Sequence, residues 1–190
     1  RDVLGPTLLV IAAATAVLGP LSAIAETNLR RWVGFLLIGG VGLMLLSLQY
    51  AQPLAVAGSF AYGAHAIVTL TALYLLAGLV ERATGATDTR QMRGLYAANS
   101  LLSTMFLVLV LAVSGVPPFL GFWPKLLMLQ GYIGTSDWVP AFTVIANALL
   151  TLIAGSRLWS HIFWRGSADR ASLPGSSVAA SALIVAAIAV

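Results

Sequence analysis

One lysine, Lys125, stands against nine arginines in this 190-residue chain. It closes the stretch Ser114-Gly-Val-Pro-Pro-Phe-Leu-Gly-Phe-Trp-Pro-Lys125, inside a long apolar run rather than in a charged linker. An ordinary lysine, with a reference pKa of about 10.4, holds its proton too firmly for exchange at neutral pH. Removal from water and the positive end of a helix both disfavour the ammonium form. Pro124 suits a first helical position, so both effects are expected at Lys125, which could then bind and release a proton. The plain alternative is a lysine that snorkels its charge to the membrane interface. His65 has Tyr62 three residues before it and Thr69 four after it, all on one helical face. An imidazole there can relay protons or serve as a hydrogen-bond donor between helices. Thr143, Asn147 and Thr151 recur at every fourth position. Asn147 could hold a water in a proton path, although tying helices together is the commoner use of such a stripe. With no cysteine and only two histidines, His65 and His161, no thiolate, disulfide, zinc or haem chemistry is expected, and neither catalytic residues nor a cofactor.

The elements that must position these residues follow from composition. Hydrophobic residues make up 59% and charged residues 8%, where a soluble domain carries charge on about a quarter of its residues. A soluble enzyme is excluded, and so is a nucleic-acid binder, because the net charge of +4 comes from scattered arginines rather than a basic patch. A helix of about 20 apolar residues crosses a bilayer, and runs at 4–24, 32–50, 54–80, 97–131 and 138–164 qualify. A sixth, 178–190, is cut short by the end of the sequence, which also lacks an initial Met. The expectation is an all-α, polytopic transmembrane bundle that is a piece of a longer membrane protein. Linkers 25–31, 81–96 and 165–177 carry seven arginines and share one side of the membrane, whereas the other side has Arg1 alone. By the positive-inside rule those linkers face the cytoplasm. Trp32, Tyr50, Trp138, Trp159 and Trp164 are expected as interfacial anchors, as are Arg157 and His161. Gly39, Gly40 and Gly42 are expected to let helices pack closely.

The run 97–131 is 35 residues long, about 52 Å as one helix and too long for a single crossing. Gly115, Pro117, Pro118, Gly121 and Pro124 interrupt it. Pro117 and Pro118 lack backbone donors and push the preceding residues out of helical geometry. Two half-helices joined by extended chain at membrane depth are expected, an arrangement tolerated only inside protein or beside a water-filled cavity.

The stretch from Ser114 to Lys125 resembles the broken-helix motif of the antiporter-like membrane subunits of respiratory complex I and of Mrp-type multisubunit Na+/H+ antiporters. The Phe-Trp-Pro-Lys ending with Leu-Leu-Met-Leu after it is similar to that of the D-type Mrp subunits, as are Tyr74-Leu-Leu-Ala-Gly-Leu-Val-Glu-Arg82 and Gly94-Leu-Tyr96. The resemblance spans roughly residues 4–164. It implies that 1–164 is the second of two inverted five-helix repeats, 165–177 a cytoplasmic linker and 178–190 the start of a further helix. It implies a proton-translocating subunit in a bacterial plasma (inner) membrane, with other membrane subunits of a hetero-oligomeric complex as partners and H+ and a monovalent cation, Na+, as cargo. Lys125 would be the titratable lysine of the broken helix, and His65 the first of the two histidines the family often has in its helix, with Tyr62, Thr69 and Asn147 along the same path.

The chain departs from the family pattern at three points. Leu70 stands where the family has a lysine, and Ala66 where it has a second histidine. The stretch Phe35-Leu-Leu-Ile-Gly-Gly-Val replaces polar residues expected after Leu29-Arg-Arg. The competing functions are a proton-pumping subunit of an NADH-quinone oxidoreductase and a scaffold subunit that conducts nothing.

Overall fold

Without water at membrane depth, every backbone N–H and C=O needs an internal partner, and helices provide one within each segment. The structure, a computed structural model, describes residues 4–92, 95–135 and 138–164. Within them run α1 (Leu4–Ala25), α2 (Leu29–Tyr50), α3 (Pro53–Thr84), the single turn α4 (Leu95–Ala98), α5 (Ser100–Ser114), α6 (Phe122–Ile133) and α7 (Val139–Trp159), which ends in a π-helical turn at Ser160–Trp164. Four of these, with α7 counted through Trp164, are long and apolar enough to cross a membrane. The fifth crossing is divided between α5 and α6, 15 and 12 residues long. The chain is thus an all-α, multi-pass membrane bundle. The expected linker 165–177, the helix 178–190 and residues Arg1, Arg93 and Asp137 lie outside the described residues.

Local sequence sets the helix ends. Asn28 caps α2 by accepting the amides of Arg30 and Arg31, both at 3.1 Å. Ala51, left-handed at φ 50°, ends α2, and Pro53 opens α3 two residues later. This makes the α2–α3 connection very short. Gly85, at φ 69°, closes α3, its amide reaching the Glu81 carbonyl at 2.8 Å.

The lipid chains compete equally for apolar side chains, so close approach of backbones must hold the helices together. At Gly42 a Cβ would run into the Ala16 backbone, and at Gly39 it would lie 2.6 Å from Pro20 Cδ. Gly39 and Gly42 are therefore the seats into which α1 fits, whereas Gly40 faces the Tyr62 ring of α3. Asn147 of α7 adds a polar tie by donating to the Ala16 carbonyl at 2.7 Å.

The arrangement of linkers agrees with the arginine pattern. Thr89 donates its amide to the Thr27 carbonyl at 2.8 Å, and Asn28 pairs with Asp88. The first and third linkers thus meet at one pole of the bundle, beside Arg157 and His161 from the far end of α7. Arg30 of α2 pairs with Glu81 of α3 at 2.8 Å near the same pole.

Trp32 corrects an expectation. It is fully buried and packs against Phe106 with ring centroids 6.1 Å apart. Phe106 in turn packs against Phe163, so α5 and, behind it, the end of α7 build up the core around a side chain expected to meet the interface. Trp138 and Trp164 are exposed, as anchors should be.

If close backbone contact holds α1 on α2, Gly42→Val should destabilise the bundle by about 1–3 kcal/mol, the usual range for overpacking. Gly34→Ala, where a Cβ meets nothing within 4 Å, should be near neutral. Thermal unfolding midpoints in detergent check the contrast.

Candidate functional site

The site is built around the break. Helix α5 ends at Gly115, whose φ of 81° is left-handed. The last four carbonyls of a helix lack partners within it, and here each finds one. Gly115 and Val116 donate their amides to Leu111, and Gly115 also reaches Ala112, all at 3.2 Å. The two remaining carbonyls accept the ammonium of Lys125, Val113 at 3.3 Å and Ser114 at 2.9 Å. Lys125 is only 4% exposed. The snorkelling alternative is thereby set aside.

The geometry differs from the expected one in three respects. Helix α6 begins at Phe122, so Pro124 is its third residue rather than its first, and Lys125 closes the first turn. Pro124 is tolerated there because its missing amide is among those with no partner inside the helix. Secondly, the dipole of α6 is not the only one acting on Lys125. The carbonyl end of α5 faces the ammonium directly and attracts it. The connecting chain is turn-rich rather than extended, with Phe119, Phe122 and Trp123 amides donating three residues back. Pro117 and Pro118, joined by a cis peptide bond, are exposed on this chain.

Small residues bring α3 to the break. A Cβ at Gly58 would lie 2.8 Å from the Pro124 carbonyl and 2.9 Å from the Met128 amide. At Gly131 it would meet Ala55 in the same way. Gly121 is the most constrained, since a Cβ there would collide with the Ala112 carbonyl and come within 2.8 Å of the His65 ring. This contact places His65 against the break, close enough for electrostatic interaction with Lys125. A lysine ammonium has three donors, two of which the carbonyls take. The Tyr62 ring lies 5.9 Å from Nζ, within cation–π range.

His65 Nε2 is 3.1 Å from the Thr69 hydroxyl, whereas its buried Nδ1 has no hydrogen-bond partner. A ring with one nitrogen bonded and the other free, beside an ammonium with one donor to spare, is equipped to hand on a proton. Lys125, Tyr62, His65 and Thr69 are therefore brought together. Asn147 is not bonded to them: its amide is committed to Ala16, on the other side of Gly39 and Gly40 from Tyr62.

Two features were not read from the sequence. The carbonyls of Val113 and Ser114 carry no side-chain signature, although Gly115 as a helix C-terminal residue was the available signal. Arg30, Glu81 and Tyr74 form a second polar cluster, with Arg30 donating to both (2.8 and 3.3 Å) and Glu81 Oε1 buried without a partner. An apolar cleft of about 400 Å³ runs from Arg30 and Tyr74 past Leu70 to Ala66. Leu70 and Ala66, two of the departures from the family pattern, thus line one cleft between α2 and α3.

Membrane-spanning helices, one of them broken at a buried lysine that a histidine-bearing helix abuts, define a polytopic membrane protein of the antiporter-like class. The chain belongs to the NADH:quinone oxidoreductase/Mrp antiporter transmembrane family, whose model matches residues 3–151. It is 32% identical over 157 residues to the D-type subunit of a Na(+)/H(+) antiporter of Alkalihalophilus pseudofirmus, covering 83% of this chain and 32% of that protein. The antiporter protein of the same name from Bacillus subtilis is 28% identical over 94% of this chain and 36% of its own length. The chain thus spans about a third of the length of these curated relatives. Among solved structures, a chain of the Mrp complex from Dietzia sp. DQ12-45-1b superposes with a TM-score of 0.81 at 25% identity, over 91% of this chain and 33% of that one. A chain of respiratory complex I from Thermus thermophilus shares the fold, with a TM-score of 0.88 at 23% identity over 96% and 39% of the two chains.

Thr69→Val should cost about 0.5–1.5 kcal/mol, the ordinary net value of one hydrogen bond. Gly121→Ala should cost more, because the Ala112 backbone cannot yield as a flexible side chain would. Unfolding midpoints of the two variants give the order.

Proposed function

We propose that this chain is part of the proton-translocating membrane subunit of a multisubunit Na+/H+ antiporter. The observation that carries the reading is Lys125, an ammonium 4% exposed at a helix break with His65 beside it. The identity to two curated Na(+)/H(+) antiporter subunits supports the choice of cargo. In this reading the chain is a transporter subunit and not an enzyme. Residues 1–164 form a five-helix repeat, continued by a linker at 165–177 and a further helix at 178–190. The arginine-bearing pole faces the cytoplasm of a bacterial plasma membrane, and other membrane subunits flank the chain.

Lys125 takes up a proton on the lone pair of its neutral amine and releases it toward His65, which Thr69 orients. Tyr62 shields the ammonium from lipid. Asn147 serves the path by holding α7 and α1 in place. The carbonyl end of α5 keeps a favourable site for the charged form, so the lysine is not trapped neutral by burial.

A scaffold role is the second reading. It draws on Leu70 and Ala66, each 6% exposed, which leave the α2–α3 cleft without a titratable group beyond Arg30 and Tyr74 at one end. A role in an NADH:quinone oxidoreductase draws on the other half of the family description.

The test is Na+-dependent proton exchange in everted vesicles carrying the full-length subunit with its partners. Lys125→Ala should lower exchange by about a hundredfold or more, within the contribution of a positioned proton-transfer group. Lys125→Arg, which keeps a charge but does not release a proton, should fail equally. Assembly of the complex should be intact in both. Unchanged exchange in Lys125→Ala would sink the role given to Lys125.

A further inference from the structure

Away from the break, a partly open cavity of about 220 Å³ lies at the arginine-bearing pole, between the ends of α1 and α7 and the linker after α3. Its charged and titratable lining is Glu26, Arg90, Arg157 and His161. Opposite charges share this space without touching, since among the described residues no ion pair joins Glu26 to either arginine. Arg30, by contrast, is satisfied by Glu81 in the same half of the bundle.

The walls are held by bonds that leave the charges free. Glu26 Oε1 accepts the amides of Thr27 and Asn28, each at 3.0 Å. This fixes the carboxylate while leaving Oε2 available. Asp88 accepts the Arg90 amide at 2.9 Å, and Thr89 is pinned to Thr27 at 2.8 Å. Arg157 and His161, one helical turn apart, share a face of α7. The C-terminal ends of α1 and α7 add partial negative charge here, which offsets part of the two guanidinium charges. The cavity is therefore dipolar rather than simply basic, and a lone anion is a poorer match than a ligand with both signs.

The surroundings place it at an interface. The Trp164 ring contacts those of Tyr96 and Trp159 at centroid distances of 6.3 and 6.0 Å at the same end of α7, a cluster of the kind found at headgroup level. Leu18 and Leu21, one or two turns before the cavity on α1, are 55% and 47% exposed and offer an apolar flank for acyl chains.

The geometry points to a zwitterionic phospholipid site, with the phosphate on Arg157 and Arg90 and a primary ammonium on Glu26. Guanidinium groups suit phosphate oxygens by charge and by their fixed fork of donors. A carboxylate with one free oxygen suits a primary ammonium, which donates three hydrogen bonds, better than a trimethylated one, which donates none. The site does not depend on whether the chain conducts ions.

The test is native mass spectrometry of the full-length protein in detergent with equimolar dioleoyl phosphatidylethanolamine, phosphatidylcholine and phosphatidylglycerol. The ethanolamine lipid should be retained about tenfold over the choline lipid, the scale expected of charge-assisted contacts at a membrane surface. Glu26→Gln keeps the oxygen that accepts the two amides and removes only the charge. It should erase the preference for ethanolamine over choline. Arg157→Gln should weaken the ethanolamine and glycerol lipids alike, and Arg82→Gln, exposed and outside the cavity, should change neither. Displacement of the lipid by soluble phosphoethanolamine would support recognition of the headgroup itself. Equal retention of all three lipids, as for a cavity that holds water only, would overturn the proposal. So would an effect of Arg82→Gln as large as that of Arg157→Gln, which is the mark of diffuse surface charge.

Discussion

A helix that ends inside a membrane leaves its last carbonyls facing a medium that cannot solvate them, and each such group costs several kcal/mol in hydrocarbon. Helix α5 meets this constraint with two backbone amides and one side chain. Lys125 crosses the break and takes the carbonyls of Val113 and Ser114. The same bonds answer the opposite problem, an ammonium that would otherwise be buried alone. Structure and chemistry are thus joined in one interaction. The group proposed to carry the proton is the group that closes the open end of α5, so in that proposal proton release is coupled to the state of the break.

The glycines of the bundle follow from that requirement. A lysine stem reaches across only if α5 and α6 lie nearly end to end, which brings Gly121 beneath the Ala112 carbonyl and Gly115 against the Lys125 stem. His65 reaches the break only because Gly121 has no side chain, and α3 lies close enough only because Gly58 and Gly131 have none. A larger residue at Gly121 or Gly58 would press on the backbone of α5 or α6 and so disturb both the helix packing and the spacing of the imidazole and the ammonium. The α1–α2 seat at Gly39 and Gly42 is a separate use of the same device and serves to assemble the bundle.

The polar groups divide by what they touch. Tyr62, His65 and Thr69 converge on Lys125, while Asn147 is spent on a helix carbonyl and acts as a tie. Next to them on α3, Ala66 and Leu70 line a cleft that begins at Arg30 and Tyr74. The Arg30–Glu81 pair lies at the mouth of that apolar passage. The polar side chains are therefore gathered around the break, while the neighbouring cleft toward α2 is mostly apolar, an asymmetry to which Leu70 and Ala66 contribute.

Much of this was legible in the chain. Apolar runs of membrane length, arginines concentrated in alternate linkers and two prolines inside an overlong run determine a multi-pass helical bundle with a broken segment, because each is a local property of solvation or backbone chemistry. The spacing of Tyr62, His65 and Thr69 determines their shared face for the same reason. The burial of Trp32 was not legible, since its place near a segment end fits an anchor equally well until α5 and α7 are known to cover it. Nor were the partners of Lys125. Backbone carbonyls have no letter in a sequence, and which of them point at an ammonium depends on where α5 stops and how α6 is set against it. Tertiary structure alone decided that the lysine sits between two helix ends of opposite sign, because that balance exists only when both ends are in place.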